Sequence, residues 1–182
     1  MTLPPWPVAV GLGGNLPPLP DRLVTAARAL EQLASPDSFR CSPLYRTAPV
    51  GGPPGQPPYC NAVVLFATTL TPEGLLEALQ SLEAAGGRER LQPWGPRTLD
   101  LDLLWHGSHQ RSGPQLVLPH PRLLERSFVL APLVALDPGL VPPGQPDSPP
   151  GRCVAELLAA LLPRLPEPAP ERLPPPPGWP GP

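Results

Sequence analysis

Pro7 to Gly13 (PVAVGLG) is a short run of strand character that closes in glycines. Behind it, DRLVTAARALEQLA from Asp21 places Leu23, Val24, Ala27, Leu30 and Ala34 at helical spacing. A strand followed by a helix is predicted. Ser38 to Arg46 (SFRCSPLYR) reads as a second strand, with Pro43 demanding an edge position or a bulge because proline brings no N–H to a ladder. A Pro- and Gly-rich loop follows from Thr47 to Pro58. Tyr59 to Thr69 (YCNAVVLFATT) is dense in β-branched and aromatic residues and predicts a central strand. Thr71 as N-cap, Pro72 at N1, the stripe Leu75, Leu76, Leu79 and Leu82, and the stop at Gly86-Gly87 define a second helix. Thr98 to His106 is the next strand.

The order βα, ββ, αβ is that of a ferredoxin-like α+β sandwich, an antiparallel sheet with helices on one face. Beyond it, LVLPHPRLLERSFVLAPLVAL reads as an extended piece, a turn and a short helix, and Val154 to Leu162 as another helix. Residues 1–163 are expected to form one domain. The remainder, 164–182, is a polyproline-type tail with too little apolar surface to fold alone, expected to be flexible.

Composition narrows the chemistry. A length of 182 residues fits a single domain with a real core. The formal net charge of −2 offers no clustered basic surplus for a nucleic-acid backbone. Cys41, Cys60 and Cys153 are widely spaced, so neither a disulfide framework nor a zinc site is indicated, and they read as reduced thiols. No basic stretch precedes the first apolar run, and no segment approaches the roughly 18 apolar residues of a membrane span. A cytoplasmic monomer without nucleic-acid or membrane partners is the expectation. All 13 basic residues are arginine, which removes every lysine-based chemistry: any phosphate here is held by arginine, backbone or metal.

WGPRTLDLDLL, Trp94 to Leu104, then stands out. Strand alternation sends Thr98, Asp100, Asp102 and Leu104 one way and Leu99, Leu101, Leu103 and Trp105 the other, so the leucines face the helices and the aspartates face a site. Two carboxylates about 4 Å apart repel by roughly 4 kcal/mol at an effective dielectric near 20, which protonation, arginine or a divalent ion relieves. Oxygen donors without His or Cys favour Mg²⁺. For D-x-D alone, a solvated strand face paired with arginines is the better reading. The neighbourhood favours a polyphosphate: Arg88, Arg90 and Arg97 precede or adjoin the pair, and Arg122 and Arg126 follow a His-Pro. Gln80 and Glu83 share a helix face pointing toward the same end. Trp94, in the long segment GRERLQPWGPR, serves either as a core anchor or as part of a lid that excludes water.

These residues resemble the 6-hydroxymethyl-7,8-dihydropterin pyrophosphokinase family of folate biosynthesis. The match runs in order through GLGGN (Gly11 to Asn15), YRTAPVGG (Tyr45 to Gly52), QPPYCNAV (Gln56 to Val63), GRERLQPWGPRTLDLDLLWHG (Gly87 to Gly107) and LPHPRLLERSFVLAPL (Leu118 to Leu133). The resemblance implies a ferredoxin-like fold and an ATP-dependent transfer of pyrophosphate to the pterin hydroxymethyl group, with release of AMP. It implies that Asp100 and Asp102 bind two Mg²⁺ ions. It places Arg88, Arg90, Arg97, His120 and Arg126 around the triphosphate of ATP, with Gln80, Glu83, Trp94 and Leu103 on the nucleotide side; Arg122 inherits no role. For the pterin it implies a ring stacked between Tyr59 and Phe128, Asn61 on the ring's amidine-like edge, and mainly backbone contacts from Thr47, Ala48 and Val50. Arg97, Asp100, Asp102 and Arg88 are the catalytic set, acting by positioning and charge rather than through a strong general base.

The chain departs from that pattern at Gly14, where a serine is usual, and at Ala48, where a proline is common; Pro93 stiffens the segment before Trp94. A nucleotidyltransferase also uses D-x-D carboxylates, but its pair follows close behind a Gly-Ser motif, and here Gly14 and Asp100 are far apart. A non-catalytic ferredoxin-like ligand module explains the element order and leaves the aspartates and arginines without a purpose.

Overall fold

The computed structural model describes residues 4–87, 95–144 and 151–181. The chain runs through β1 (Trp6–Gly14), α1 (Leu19–Glu31), β2 (Arg40–Cys41), β3 (Tyr45–Thr47), β4 (Tyr59–Thr68), α2 (Pro72–Ala85), β5 (Asp100–His106), β6 (Arg111–Ser112), β7 (Val117–Leu118), α3 (Ser127–Leu136), α4 (Val154–Leu161) and β8 (Glu171–Arg172). The main sheet has the order β5-β1-β4-β3-β8, with β2 also on β4. β1 is antiparallel to both β4 and β5. This is the interleaved arrangement that the element order predicts for an α+β sandwich. Thr71 caps α2 as expected, its hydroxyl accepting from the Gly74 N–H at 3.1 Å, with Pro72 in the first turn.

The strand expected over Ser38 to Arg46 is split by Pro43. β2 pairs Cys41 with Val64 and β3 pairs Tyr45 with Asn61, so three residues oppose two across the break and the ladder shifts by one. Ser42 bridges the break: its N–H donates to the Val63 carbonyl at 3.0 Å and its hydroxyl accepts the Val63 N–H at 3.0 Å.

The sheet is covered on both faces, not one. Val8, Val10 and Leu12 of β1, Ala62, Val64 and Phe66 of β4, and Leu99, Leu101 and Leu103 pack against Leu23 and Leu30 of α1 and Leu75 and Leu79 of α2. The opposite parity, Ala9, Val63 and Leu104, packs against Val129, Leu130 and Leu133 of α3 and Val154 of α4. Apolar residues at both parities of the strands require this second layer. The sequence of α3, SFVLAPLVAL, has no polar face, and a helix apolar all round must be buried on several sides. Trp105 also departs from strict alternation. The β1–β5 register slips between Ala9, opposite Trp105, and Val10, opposite Leu103, leaving Leu104 as the extra residue of a bulge. Leu104 and Trp105 consequently share the α3 side.

The segment set apart as a flexible tail lies against the sheet edge. β8 pairs Arg172 with Tyr45 and Glu171 with Arg46, and the Leu173 N–H donates to the Leu44 carbonyl at 2.8 Å. Further on, the Trp179 indole N–H donates to the Ser42 carbonyl at 2.9 Å, and Arg28 of α1 donates to the Gly178 carbonyl at 3.1 Å. Too short of apolar surface to fold alone, the segment borrows it: Leu173 and Trp179 pack against the core beneath α1 and α2. It thereby pairs the edge of β3, immediately before the loop that begins at Ala48.

Trp179→Ala removes both the indole's packing and its hydrogen bond, and is expected to lower stability by about 2 kcal/mol. Urea unfolding checks this: the midpoint should fall at nearly constant slope, and an unchanged midpoint would show that the strap contributes nothing.

Candidate active site

α3 covers only part of its sheet face. Along β1, Ala9 lies under α3 while Gly11 and Gly13, of the same parity, do not, and the uncovered part is the floor of a cavity of about 530 Å³. The register sets what stands around that floor. Gly13 is opposite Asn61 on β4 and Asp100 on β5, and Gly11 is opposite Val63 and Asp102. A Cβ on Gly13 would come 2.6 Å from the Asn61 Oδ1, so the amide occupies the space that the missing side chain leaves.

On the β4 side, Asn61 is 7% exposed and donates through Nδ2 to the Thr47 hydroxyl at 2.7 Å, which fixes the orientation of its amide. Tyr59 donates its hydroxyl to the Gly95 carbonyl at 3.1 Å, and burial pushes its pKa up, so it stays a neutral aromatic wall. Thr47, Ala48, Val50 and Gly51 line the same side, the loop turning through a positive φ of 76° at Gly51. Phe128, from the first turn of α3, lines the cavity, and the Arg126 guanidinium lies 5.3 Å from its ring centre in a cation–π contact.

On the β5 side, Asp100 and Asp102 are met by arginines. Arg97 forms an ion pair with Asp100, and Arg126 Nη1 lies 3.6 Å from Asp102 Oδ2. The Asp102 carboxyl is nevertheless pushed up to about 6, first by desolvation and then by the charge of Asp100, with Arg126 and Arg97 pulling the other way. Burial, more than repulsion from Asp100, thus makes the charged form of Asp102 costly in the ligand-free chain. His120, tied to β5 by its N–H on the Leu104 carbonyl at 2.8 Å, has its pKa lowered to about 4 by desolvation and by the Arg126 and Arg122 cations. Its Nδ1 accepts the Arg122 N–H at 3.1 Å, which assigns the proton of the neutral ring to Nε2 and leaves a neutral donor among arginines.

Thus Thr47, Ala48, Val50, Tyr59, Asn61, Arg97, Asp100, Asp102, His120, Arg126 and Phe128 are all brought to one cavity. Three expected residues are placed elsewhere. Gln80 is exposed on α2. Glu83 is buried, its carboxylate accepting the Leu101 N–H at 2.7 Å on the edge strand. Leu103 belongs to the core facing α1 and α2. Arg88, Arg90 and Trp94 lie outside the described residues. The cavity also includes Arg122, without an assigned role beforehand, and Glu125, which the sequence reading did not single out. Their His-Pro-Arg context was the available signal.

Among the described residues no group of three or more His, Cys, Asp or Glu side chains forms a metal cage. Two aspartates with oxygen donors only, one with a raised pKa, still fit Mg²⁺, which binds through one or two carboxylates and completes its shell with water and substrate phosphate. The described residues contain no helix long and apolar enough to cross a membrane.

The fold and site define a class of α+β protein with an aromatic-walled pocket beside an acid–arginine cluster. The chain belongs to the 7,8-dihydro-6-hydroxymethylpterin-pyrophosphokinase family, whose model matches residues 9–138. It is 44% identical over 149 residues to the 2-amino-4-hydroxy-6-hydroxymethyldihydropteridine pyrophosphokinase of Synechocystis sp., covering 82% of this chain and 73% of that one. It is 42% identical over 153 residues to the enzyme of the same name from Pseudomonas aeruginosa, covering 84% and 90%. In fold it is similar to a crystal structure of Plasmodium falciparum HPPK-DHPS, with a TM-score of 0.62 and 13% identity over 88% of this chain; it spans 46% of that longer chain.

The raised pKa of Asp102 has a stability consequence in metal-free protein. Between the ordinary value of 3.8 and about 6 the folded state holds a proton that the unfolded state has lost, so stability falls as pH rises through that window. Asp102→Asn is expected to melt higher than the parent at pH 8 and to lose most of that advantage at pH 4, both measured by thermal unfolding with a chelator present. An equal difference at the two pH values would refute the charge assignment.

Proposed function

We propose that this protein transfers pyrophosphate from ATP to the hydroxymethyl group of 6-hydroxymethyl-7,8-dihydropterin, forming AMP and the pterin pyrophosphate. The observation that carries this reading is the single cavity in which Tyr59, Asn61 and Phe128 stand beside Asp100, Asp102, Arg97 and Arg126. The names of the relatives in Synechocystis and Pseudomonas aeruginosa support the same substrate.

Aromatic faces at Tyr59 and Phe128 suit a flat heterocycle, and the Asn61 amide offers both a donor and an acceptor to its edge. The Thr47 hydroxyl, by engaging Nδ2, leaves the amide's orientation settled before the ligand arrives. Asn61 and Asp100 flank Gly13 across two strand spacings, roughly 10 Å, which places the ring's recognition edge well away from the phosphate chemistry. Asp100 and Asp102 would hold Mg²⁺, two ions in this reading, and the metal when bound neutralises triphosphate charge. Arg97 and Arg126, which pair with these carboxylates in the ligand-free chain, supply cations to the migrating phosphoryl charge. His120, neutral at physiological pH, donates from Nε2 and is too weak a base to deprotonate an alcohol. The hydroxymethyl oxygen attacks the β-phosphorus and gives up its proton to water, the bond from that phosphorus to the α,β-bridging oxygen breaks, and AMP leaves with that oxygen. The three cysteines are free thiols, which supports a reducing, cytoplasmic setting, and a monomer contains every residue invoked.

The deciding experiment is purified protein with ATP, Mg²⁺ and the hydroxymethyl-dihydropterin. AMP is expected as the nucleotide product; release of inorganic pyrophosphate would instead mean nucleotidyl transfer. Arg97→Ala should reduce the single-turnover rate constant by roughly 10³-fold with a much smaller effect on ATP affinity, and an unchanged rate constant would remove Arg97 from the mechanism. Asp100→Ala should abolish Mg²⁺-dependent turnover while circular dichroism stays that of the parent.

A further inference from the structure

The stretch GLGGN, whose first four residues close β1, ends in a residue to which the reaction assigns no part. Asn15 is 4% exposed, lies directly after β1, and does not line the cavity. Its backbone N–H and both polar atoms of its side chain are engaged by two segments beside the cavity. Its backbone N–H donates to the Arg97 carbonyl at 2.9 Å, and its Oδ1 accepts the Arg97 N–H at 2.8 Å. Its Nδ2 donates to the Pro57 carbonyl at 3.1 Å, at the end of the loop that carries Ala48, Val50 and Gly51. One buried asparagine therefore grips both backbone groups of Arg97, the carbonyl through its own backbone N–H and the N–H through its side chain, together with one end of the loop lining the pterin side.

Gly14 makes this grip possible. A Cβ there would lie 2.8 Å from the Thr98 carbonyl oxygen, 3.3 Å from the Arg97 carbonyl oxygen and 2.7 Å from Leu19 Cδ1. The first two are backbone atoms that cannot swing aside, so in this chain the 97–98 backbone sits closer to β1 than a side chain at position 14 allows. Arg97 follows a proline and precedes the strand, so no ladder hydrogen bond fixes its backbone.

We propose that Asn15 is a positioning residue for pyrophosphoryl transfer: through Oδ1 it sets where the Arg97 guanidinium stands relative to Asp100, and through Nδ2 it locks the 48–57 loop to the same point. The proposal rests on the function given above. Its two arms act on different substrates. The Arg97 arm governs the chemical step, and the Pro57 arm governs the pterin side.

Asn15→Ala removes both arms, while Asn15→Asp keeps an acceptor for the Arg97 N–H and turns an oxygen toward the Pro57 carbonyl. Asn15→Ala should lower the single-turnover rate constant by about 10²-fold, the scale of an ångström-sized misplacement. It should also weaken pterin binding by roughly tenfold, one lost hydrogen bond. Asn15→Asp should recover at least tenfold of the lost rate constant and leave pterin binding weak. Equal rate constants for the Ala and Asp variants would overturn the Arg97 arm, and unchanged pterin affinity in both would overturn the loop arm. Hydrogen exchange of the peptide spanning residues 95–101 provides a readout free of catalysis: protection should fall in Asn15→Ala and persist in Asn15→Asp, and unchanged protection in the Ala variant refutes the grip itself. Should Asn15→Ala fail to fold, Gly14→Ala, which displaces the same backbone with Asn15 intact, must slow turnover or the proposal falls. AMP formation by the parent protein separates these outcomes from a failure of the assigned reaction.

Discussion

The pairing register of β1 is the constraint from which the site follows. A central strand antiparallel to both neighbours has no freedom to slide, because a one-residue slip would turn Val8, Val10 and Leu12 out of the helix-side core and bring Ala9, Gly11 and Gly13 into it. Once those apolar residues are seated, Gly13 must fall between Asn61 and Asp100 and Gly11 must fall beside Asp102. The hydrophobic core on one face thus fixes the spacing of polar groups on the other. The bare floor is a consequence of the same register, since side chains on β1 at those positions would fill the cavity whose walls β4 and β5 provide.

Electrostatics in the cavity is arranged around two carboxylates that the fold cannot move. Their arginine partners sit on the segments just outside the strand, Arg97 before it and Arg126 at the entrance to α3. Ligands fixed on a strand and cations on its approaches allow the cations to change partners while the carboxylates stay put. Arg126 joins both halves of the site, facing Asp102 and lying over the Phe128 ring. Arginine suits this double use: its flat guanidinium stacks on an aromatic face and keeps its charge when partly desolvated, where an ammonium would be less favoured.

Much of this was legible in the sequence because period-two alternation is strict wherever one parity is apolar, as at Leu99, Asp100, Leu101 and Asp102. Alternation failed at Trp105, which a bulge at Leu104 turns to the same side as Leu104. The second helical layer was illegible for a related reason: α3 is apolar on every side, so its sequence announces burial without saying against what. Leu103 came from resemblance alone and Gln80 from resemblance and a shared helix face, and the structure places both outside the cavity. Asn15 was quoted with its motif and given no part, because an asparagine after glycines reads as an ordinary turn former; only its contacts with residues 57 and 97 reveal more.

The strap formed by β8 and Trp179 bears on the time course of folding. Its pairing with β3 joins Tyr45 to Arg172, and its indole reaches back from position 179 to Ser42, among the largest sequence separations in the molecule. Contacts of that span close slowly, and on a growing chain they cannot form until residues 171–179 have emerged. The β3 edge, with the loop it leads into, therefore stays unpaired during synthesis until residues 171–179 reach it.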